Sequence, residues 1–298
     1  MSVPSLDNLR CFLVASRLLR FREAARSFAL TPAAFGQRIK QLEDQVGAAL
    51  FTRTTRTVRL TEAGLTLLPY AEKCLGTLDE GIRAARGETG PPPQDLVLGT
   101  RHELGMSWIV PQLGALAIER PYLNLHLYFG AAPDLHRKVR ALEIDCAVTS
   151  ARIDDPKLDS VRLHREDYVL VGAARLFRQT PLTRSEHARD HTLLDIAPDL
   201  PLFRYLKDAR DGGDRLRFGK HTYLGTTAAI LARVVEGAGV AVLPRYLVAA
   251  HLAKRDLVCA LPKVLLRYDH FRLVFRADDS RRALLESLGA SLARTPLG

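Results

Sequence analysis

The sequence predicts an α/β protein that begins with a small, basic helix-turn-helix followed by a hairpin. Three observations carry this: a charge excess gathered at one end, a helix-to-hairpin change within residues 31–64, and repeated strand–helix alternation after residue 94. At 298 residues the chain has room for two or three domains with their own cores. Hydrophobic content of 47% and charge of 26% suit an ordinary globular chain, whereas the net charge of +10 favours a polyanionic partner. Residues 1–61 hold ten Lys/Arg against four Asp/Glu, so this fifth of the chain carries +6 of that excess.

In chain order, LDNLRCFLVASRLL places Leu6, Leu9, Leu13 and Phe12 on one helical face. A short second helix fits FREAARSFA, with Ala24, Ala25 and Phe28 inward and Arg22, Glu23 and Arg26 outward. Thr31 can cap a third helix, and Pro32 suits its first turn, where no amide donor is needed. Ile39, Leu42 and Val46 continue its inward stripe. Its outward face carries Ala33, Gly36, Gln37, Lys40 and Gln41, with Arg38 to one side. Small residues permit close approach to a groove, Gln matches adenine edges, and Arg or Lys take guanine edges or phosphates. An ordinary solvated helix face is the alternative. LFTRTTRTVRLT then reads as two short strands around a turn, with Arg53, Arg56 and Arg59 spread along it. Such a basic wing grips a backbone without reading sequence, so helix and hairpin together suit double-stranded DNA.

From Glu62 to about Arg86 the spacing predicts one long helix, with Pro69 early in it. Leu68, Ala71, Leu75, Leu78, Ile82 and Ala85 form a seam at steps of three and four, fit either for a second copy or for the body of the same chain. GETGPPPQD ends the helix in a hinge. Beyond it, DLVLGT, LNLHLYFG, DCAVTS and DYVLVGA read as strands, the last opening a second unit. LGMSWIVPQLGALAIERP and DLHRKVRAL read as helices, TTAAILARVVEGAGVAVLP as a helix, a glycine turn and a buried strand, and HFRLVFRA as a strand before a terminal helix.

An open α/β sheet takes its ligand at the carboxyl ends of the strands. This selects Thr100, Arg101, His102, Thr149, Ser150 and Arg152, with Thr226 and Thr227 opening a helix opposite. Hydroxyls, arginines and a helix N-terminus suit an anion; the alternative is that Thr226 only caps its helix and the arginines face solvent. No G-x-G-x-x-G follows the first strand, and no P-loop, Ser/His/Asp set, paired carboxylate or metal cluster stands out. No catalytic residue, cofactor or metal is therefore expected. Cys11, Cys74, Cys146 and Cys259 lie scattered among apolar neighbours and read as core residues, with a redox pair as the alternative. No apolar run approaches the ~18 residues of a membrane span, and the N-terminus lacks a signal-peptide pattern, so a cytoplasmic protein with no membrane partner is expected.

The stretch FREAARSFALTPAAFGQRIKQLEDQVGAALFTRTTRTVRLTEAG resembles the winged helix-turn-helix of the LysR-type transcriptional regulators. The matching residues are Phe21, Ala24, Ala25, Ile39, Leu42, Glu43, Gly47, Leu50, Phe51, Arg53, Arg56, Leu60, Thr61, Ala63 and Gly64. Departures are Gly36 for the usual Ser, Ala33 for Pro, Phe35 for Val, and Arg22 for a small hydroxyl residue. The C-terminal half is similar to the family's effector domain through IVPQLGALAIERPYLNLHL, IDCAV and VVEGAGVAVLP, with Leu142 where Gly is frequent.

The resemblance implies an α/β protein with an N-terminal winged helix-turn-helix, a long linker helix and a two-subdomain effector domain of periplasmic-binding-protein type. Residues 1–61 would bind DNA, 62–94 would form the dimerisation helix and hinge, and 95–298 would bind the effector. Subdomain I would be 95–163 plus 268–298 and subdomain II 164–267, the chain crossing near 162–166 and 265–269. The contact set expected on DNA is Thr31, Pro32, Ala33, Gly36, Gln37, Arg38, Lys40, Gln41, Arg53, Arg56 and Arg59. Function would be that of a regulator, not an enzyme, switched by a small-molecule effector and assembled as a homodimer through the linker helix, commonly a dimer of dimers. A solute-binding protein with a basic head and an α/β enzyme are the rivals; the first lacks an export signal and the second a reactive constellation.

Overall fold

The computed structural model describes residues 3–53, 58–87, 90–209 and 216–297. Ser5 opens α1 (Leu6–Leu18), its hydroxyl accepting from the Asn8 N–H at 3.2 Å. Helices α2 (Phe21–Ser27) and α3 (Pro32–Val46) follow. Strands β1 (Phe51–Arg53) and β2 (Val58–Leu60) pair antiparallel, Phe51 opposite Leu60, and lead into α4 (Glu62–Ala85). Phe12, Phe35, Ile39, Leu42 and Leu50 are fully buried between these elements. The Phe21 ring meets Phe35 and Phe51 edge-on at 5.7 and 5.2 Å, so the bulky Phe35 completes an aromatic cluster. Two expected inward positions are not inward: Leu6 is 41% and Val46 39% exposed. Each is a terminal residue of its helix and overhangs the core, while α1, packed on both α3 and α4, buries Cys11, Phe12 and Ala15 instead.

Helix α4 divides its seam between two surroundings. Leu68 and Ala71 are buried in the N-terminal core, Leu75 and Leu78 are half-buried, and Ile82 and Ala85 are exposed. Pro69 lies inside the helix without ending it. At Gly64 an added Cβ would stand 2.2 Å from the carbonyl oxygen of Leu50, the residue leading into β1, so the entry to the wing rests directly on the helix backbone.

Beyond α4 the chain runs through β3 (Gln94–Thr100), α5 (His102–Leu104), α6 (Leu113–Glu119), β4 (Leu123–Phe129), α7 (Ala132–Arg140), β5 (Cys146–Thr149) and β6 (Leu158–Glu166). The segment expected as one helix before β4 is broken by a π turn at Gly105–Ile109 and a 3-10 turn at Val110–Gln112, where Pro111 lacks an N–H for an α-helical bond. The second unit holds β7 (Tyr168–Ala173), α8 (Ala174–Gln179), β8 (Thr192–Asp195), α9 (Arg204–Lys207) and β9 (Lys220–Tyr223). It continues with α10 (Thr227–Val235), β10 (Val240–Pro244), α11 (Arg245–Ala253) and β11 (Leu257–Cys259), before β12 (Asp269–Arg276) and α12 (Arg282–Arg294).

Two five-stranded sheets result, in the orders β4-β3-β5-β12-β6 (sheet I) and β11-β7-β10-β8-β9 (sheet II). The chain leaves sheet I between Glu166 and Tyr168 and returns between Cys259 and Asp269. Strand β6 stays on the β12 ladder as far as Glu166, opposite Asp269, which carries sheet I past the limit expected at residue 163. Leu142 adopts φ 57°, in the region glycine favours, and its side chain packs against the N-terminal core; Lys157 Nζ also pairs with Glu62 of α4.

Candidate nucleic-acid interface and ligand cleft

Helix α3 is framed at both ends. The Thr31 hydroxyl accepts from the Ala34 N–H at 3.1 Å, Pro32 fills the first turn, and Gly47 at φ 78° closes the helix. Ala33, Gln37, Lys40 and Gln41 are exposed along its outer face and Gly36 is half-buried. A Cβ at Gly36 would meet nothing within 4 Å, so the chain's own packing does not demand glycine there. Arg38 is turned aside: its Nη1 lies 3.4 Å from Asp7 Oδ2 of α1.

One carboxylate ties the helix to the wing. Glu43 Oε1 accepts from the Leu50 and Phe51 N–H groups at 2.8 and 3.2 Å, and its Oε2 lies 3.8 Å from Arg53 Nη2. The Arg53 guanidinium in turn sits 4.3 Å over the Phe21 ring. Helix and wing base thereby enclose an open groove lined by Ala33, Gly36, Gln37, Lys40, Gly47 and Arg53, with Glu43 and Asp44 also on it. Arg59 is exposed on β2, and Arg56 lies outside the described residues. Glu43 belongs to the family pattern, but its role as an anchor has no signature in spacing or periodicity.

The ligand cleft follows from topology. Strands β3, β4 and β5 are parallel, β12 opposes β5, and β6 opposes β12, so Thr100, Phe129, Thr149 and Glu166 all end at one edge of sheet I. Sheet II is entered at Tyr168, opposite Pro244, at its own carboxyl edge. The two carboxyl edges therefore meet at the crossing. Tyr168 stacks on Tyr205 with centroids 3.7 Å apart, the Tyr205 hydroxyl donates to Asp269 Oδ2, and Tyr246 meets Phe271 edge-on at 5.9 Å. Burial raises the pKa of all three tyrosines, which keeps their hydroxyls protonated.

Thr100, Arg101, Thr149 and Ser150 come together on neighbouring strands β3 and β5, where Thr100 pairs with Val148. Thr149 accepts from the Ala151 N–H at 3.1 Å. Arg101 is half-buried and already paired: its Nη2 donates to the fully buried Glu166 at 2.7 Å. Burial alone would lower its pKa, and the Glu166 carboxylate more than offsets this and raises it. His102 is exposed, its ring 5.4 Å from that of Phe129. Arg152 departs from the expected cleft set, being exposed and paired with Asp154 at 2.8 Å, because an exposed acid two residues on captures it outside the strand edge. Thr226 and Thr227 stand beyond the carboxyl end of β9, and the Thr226 hydroxyl caps α10 by accepting from the Ala229 N–H at 3.2 Å. Both expected arginines thus already have an acid. Glu166 and Tyr168 stand two residues apart, but Tyr205 and Tyr246 lie far from them and from Arg101 in sequence, and none of the four was selected by spacing.

Among the described residues no group of three or more His, Cys, Asp or Glu could hold a metal ion, and no helix is long and apolar enough to cross a membrane. Cys11 and Cys146 are buried and Cys259 half-buried, whereas Cys74, expected in a core, lies exposed on the part of α4 that extends past its own chain's core.

Residues 6–65 match the family model described as bacterial regulatory helix-turn-helix protein, lysR family, and residues 89–295 match the LysR substrate binding domain. The chain is 27% identical over 273 residues to the glycine cleavage system transcriptional activator of Escherichia coli K12, covering 91% of this chain and 87% of that protein. Over 200 residues it is 32% identical to the HTH-type transcriptional regulator HdfR of Yersinia enterocolitica, covering 66% of this chain and 64% of that protein's length. The crystal structure of ArgP from Mycobacterium tuberculosis shares the fold with a TM-score of 0.73 at 21% identity, 98% of each chain being covered. Both halves match in the order that the fold places them, and the chain belongs to the LysR family of DNA-binding transcriptional regulators, with an effector-binding domain behind its helix-turn-helix.

Proposed function

We propose that this regulator reads DNA with the outer face of α3, through Ala33, Gly36, Gln37, Lys40 and Gln41, and grips phosphates with Arg53, Arg56 and Arg59. Thr31 and Pro32 set the frame of the helix, and Arg38 acts from its flank through Asp7. The observation that carries this reading is the Glu43 bridge, which holds a basic hairpin beside an exposed, small-residue helix face. In functional terms the chain divides into 1–61, 62–94 and 95–298. A second copy covers the apolar groove of α4 around Leu6, Leu78 and Ile82, giving a homodimer that binds a partly palindromic site as a dimer of dimers. A small-molecule effector binds where the carboxyl edges of the two sheets meet, near Thr100, Thr149 and the α10 start, and turns nothing over. The protein works in the cytoplasm. A screen of metabolites by thermal shift, repeated on Thr100→Val and Thr149→Val, tests the cleft: a ligand whose shift survives both substitutions binds elsewhere.

A further inference from the structure

Where the two subdomains join, three buried polar atoms lack protein partners. Among the described residues these are Thr100 Oγ1, Arg101 Nε and Glu166 Oε2. Thr100 and Glu166 are fully buried. The remaining valences of the two charged groups are partly used, since Arg101 Nη2 donates to Glu166 Oε1 at 2.7 Å. Arg101 follows β3 and Glu166 ends β6, and β5 and β12 lie between those strands. The guanidinium therefore reaches across the carboxyl edge of sheet I, its Cζ 5.4 Å from the centre of the Phe271 ring on β12. What is left over is a hydroxyl, one N–H donor and one carboxylate oxygen.

Simple ions fit this set poorly. A carboxylate would satisfy Thr100 and Arg101 Nε, yet it would face Glu166 and Asp269, and the two arginines expected at this edge, Arg101 and Arg152, are already paired with Glu166 and Asp154. An amine would satisfy Glu166 alone. Building on the cleft reading above, we infer that the effector is a zwitterion of the α-amino acid class: its ammonium donates to Glu166 Oε2 while its carboxylate accepts from Thr100 Oγ1 and Arg101 Nε. Such a ligand completes all three atoms and brings no net charge into a buried site. Entry requires the two edges to part about the crossings at 166–168 and 259–269, and the bound zwitterion favours their closure.

The test measures binding to the full chain by thermal shift and calorimetry with three matched series: the common L-α-amino acids, the same molecules without the amine, and the same molecules without the carboxylate. At least one amino acid should bind, and its two counterparts should bind about tenfold or more weakly, the factor for one charged hydrogen bond. Glu166→Gln should bring the amino-acid to deamino-acid ratio close to one, weakening the amino acid and tightening the deamino acid, whose carboxylate no longer faces a negative charge. Thr100→Val should weaken both alike. If Glu166→Gln does not fold, N-acetylated amino acids on the unaltered protein replace it, and they should lose binding. A deamino acid that binds as tightly as its amino acid overturns the zwitterion and leaves the cleft standing. The same holds for an equally tight amine. If no member of the series binds, the zwitterion falls; the cleft falls with it only if no other metabolite gives a shift sensitive to Thr100→Val.

Discussion

Removing the Glu43 carboxylate should detach the wing from α3 while the effector half stays folded. In Glu43→Ala the Leu50 and Phe51 N–H groups lose an acceptor at 2.8 and 3.2 Å, and both residues are buried, so water does not readily replace it. A hydrogen bond to a charged acceptor contributes roughly 1.5–3 kcal/mol, and two that share one oxygen sum to less than twice that, so the loss should be about 2–4 kcal/mol. The Arg53 pairing at 3.8 Å is long and half-exposed, and adds at most ~1 kcal/mol. Glu43→Gln keeps an acceptor without the charge and should cost only about 1 kcal/mol. The lone tryptophan makes the measurement selective, because Trp108 lies in the sheet I core and its fluorescence follows the effector half alone. Urea titration should show the Trp108 transition unmoved, while the helical circular dichroism of the N-terminal part melts early and duplex affinity drops. Unchanged duplex binding by Glu43→Ala would refute the anchoring role of this carboxylate.

Two glycines should behave in opposite ways. Gly64→Ala drives a Cβ to 2.2 Å from the Leu50 carbonyl and should destabilise the N-terminal module by roughly 1–3 kcal/mol, whereas Gly36→Ser meets open space and should leave its urea midpoint in place. Leu78→Asp puts a carboxylate into the apolar groove on α4, so sedimentation should show loss of dimers with the Trp108 transition retained; an intact dimer would move the interface elsewhere.

Much of the DNA-binding half was legible because its signals are local. Thr31, Pro32 and Gly47 act within a few residues of themselves, and Ile39 and Leu42 sit at helical spacing on the buried face. Periodicity misled only at helix ends, where Leu6 and Val46 overhang the core. The strand–helix alternation exposed six strands of the two sheets, but not β6, whose residues are largely polar, nor the short β8, β9 and β11, whose few residues carry no clear period. The cleft was legible only as a set of strand ends. Its decisive pairing joins Arg101 to Glu166 across 65 residues, and its tyrosines come from three further elements, so no pattern in a single sequence brings them together. Arg152 shows the converse, a residue near a strand end that a neighbouring acid removes from the site.

If α3 reads and the wing grips, salt-dependent binding of the full chain to its best site and to random duplex separates the two roles. Arg59→Ala should weaken both duplexes alike and flatten the salt dependence by about 0.9 log units per decade for each phosphate that the wing no longer neutralises. Gln37→Ala should cost roughly 1–3 kcal/mol on the best site and leave random duplex and the salt slope nearly untouched. Equal losses on both duplexes from both substitutions, with the same change in slope, would contradict the division between reader and gripper.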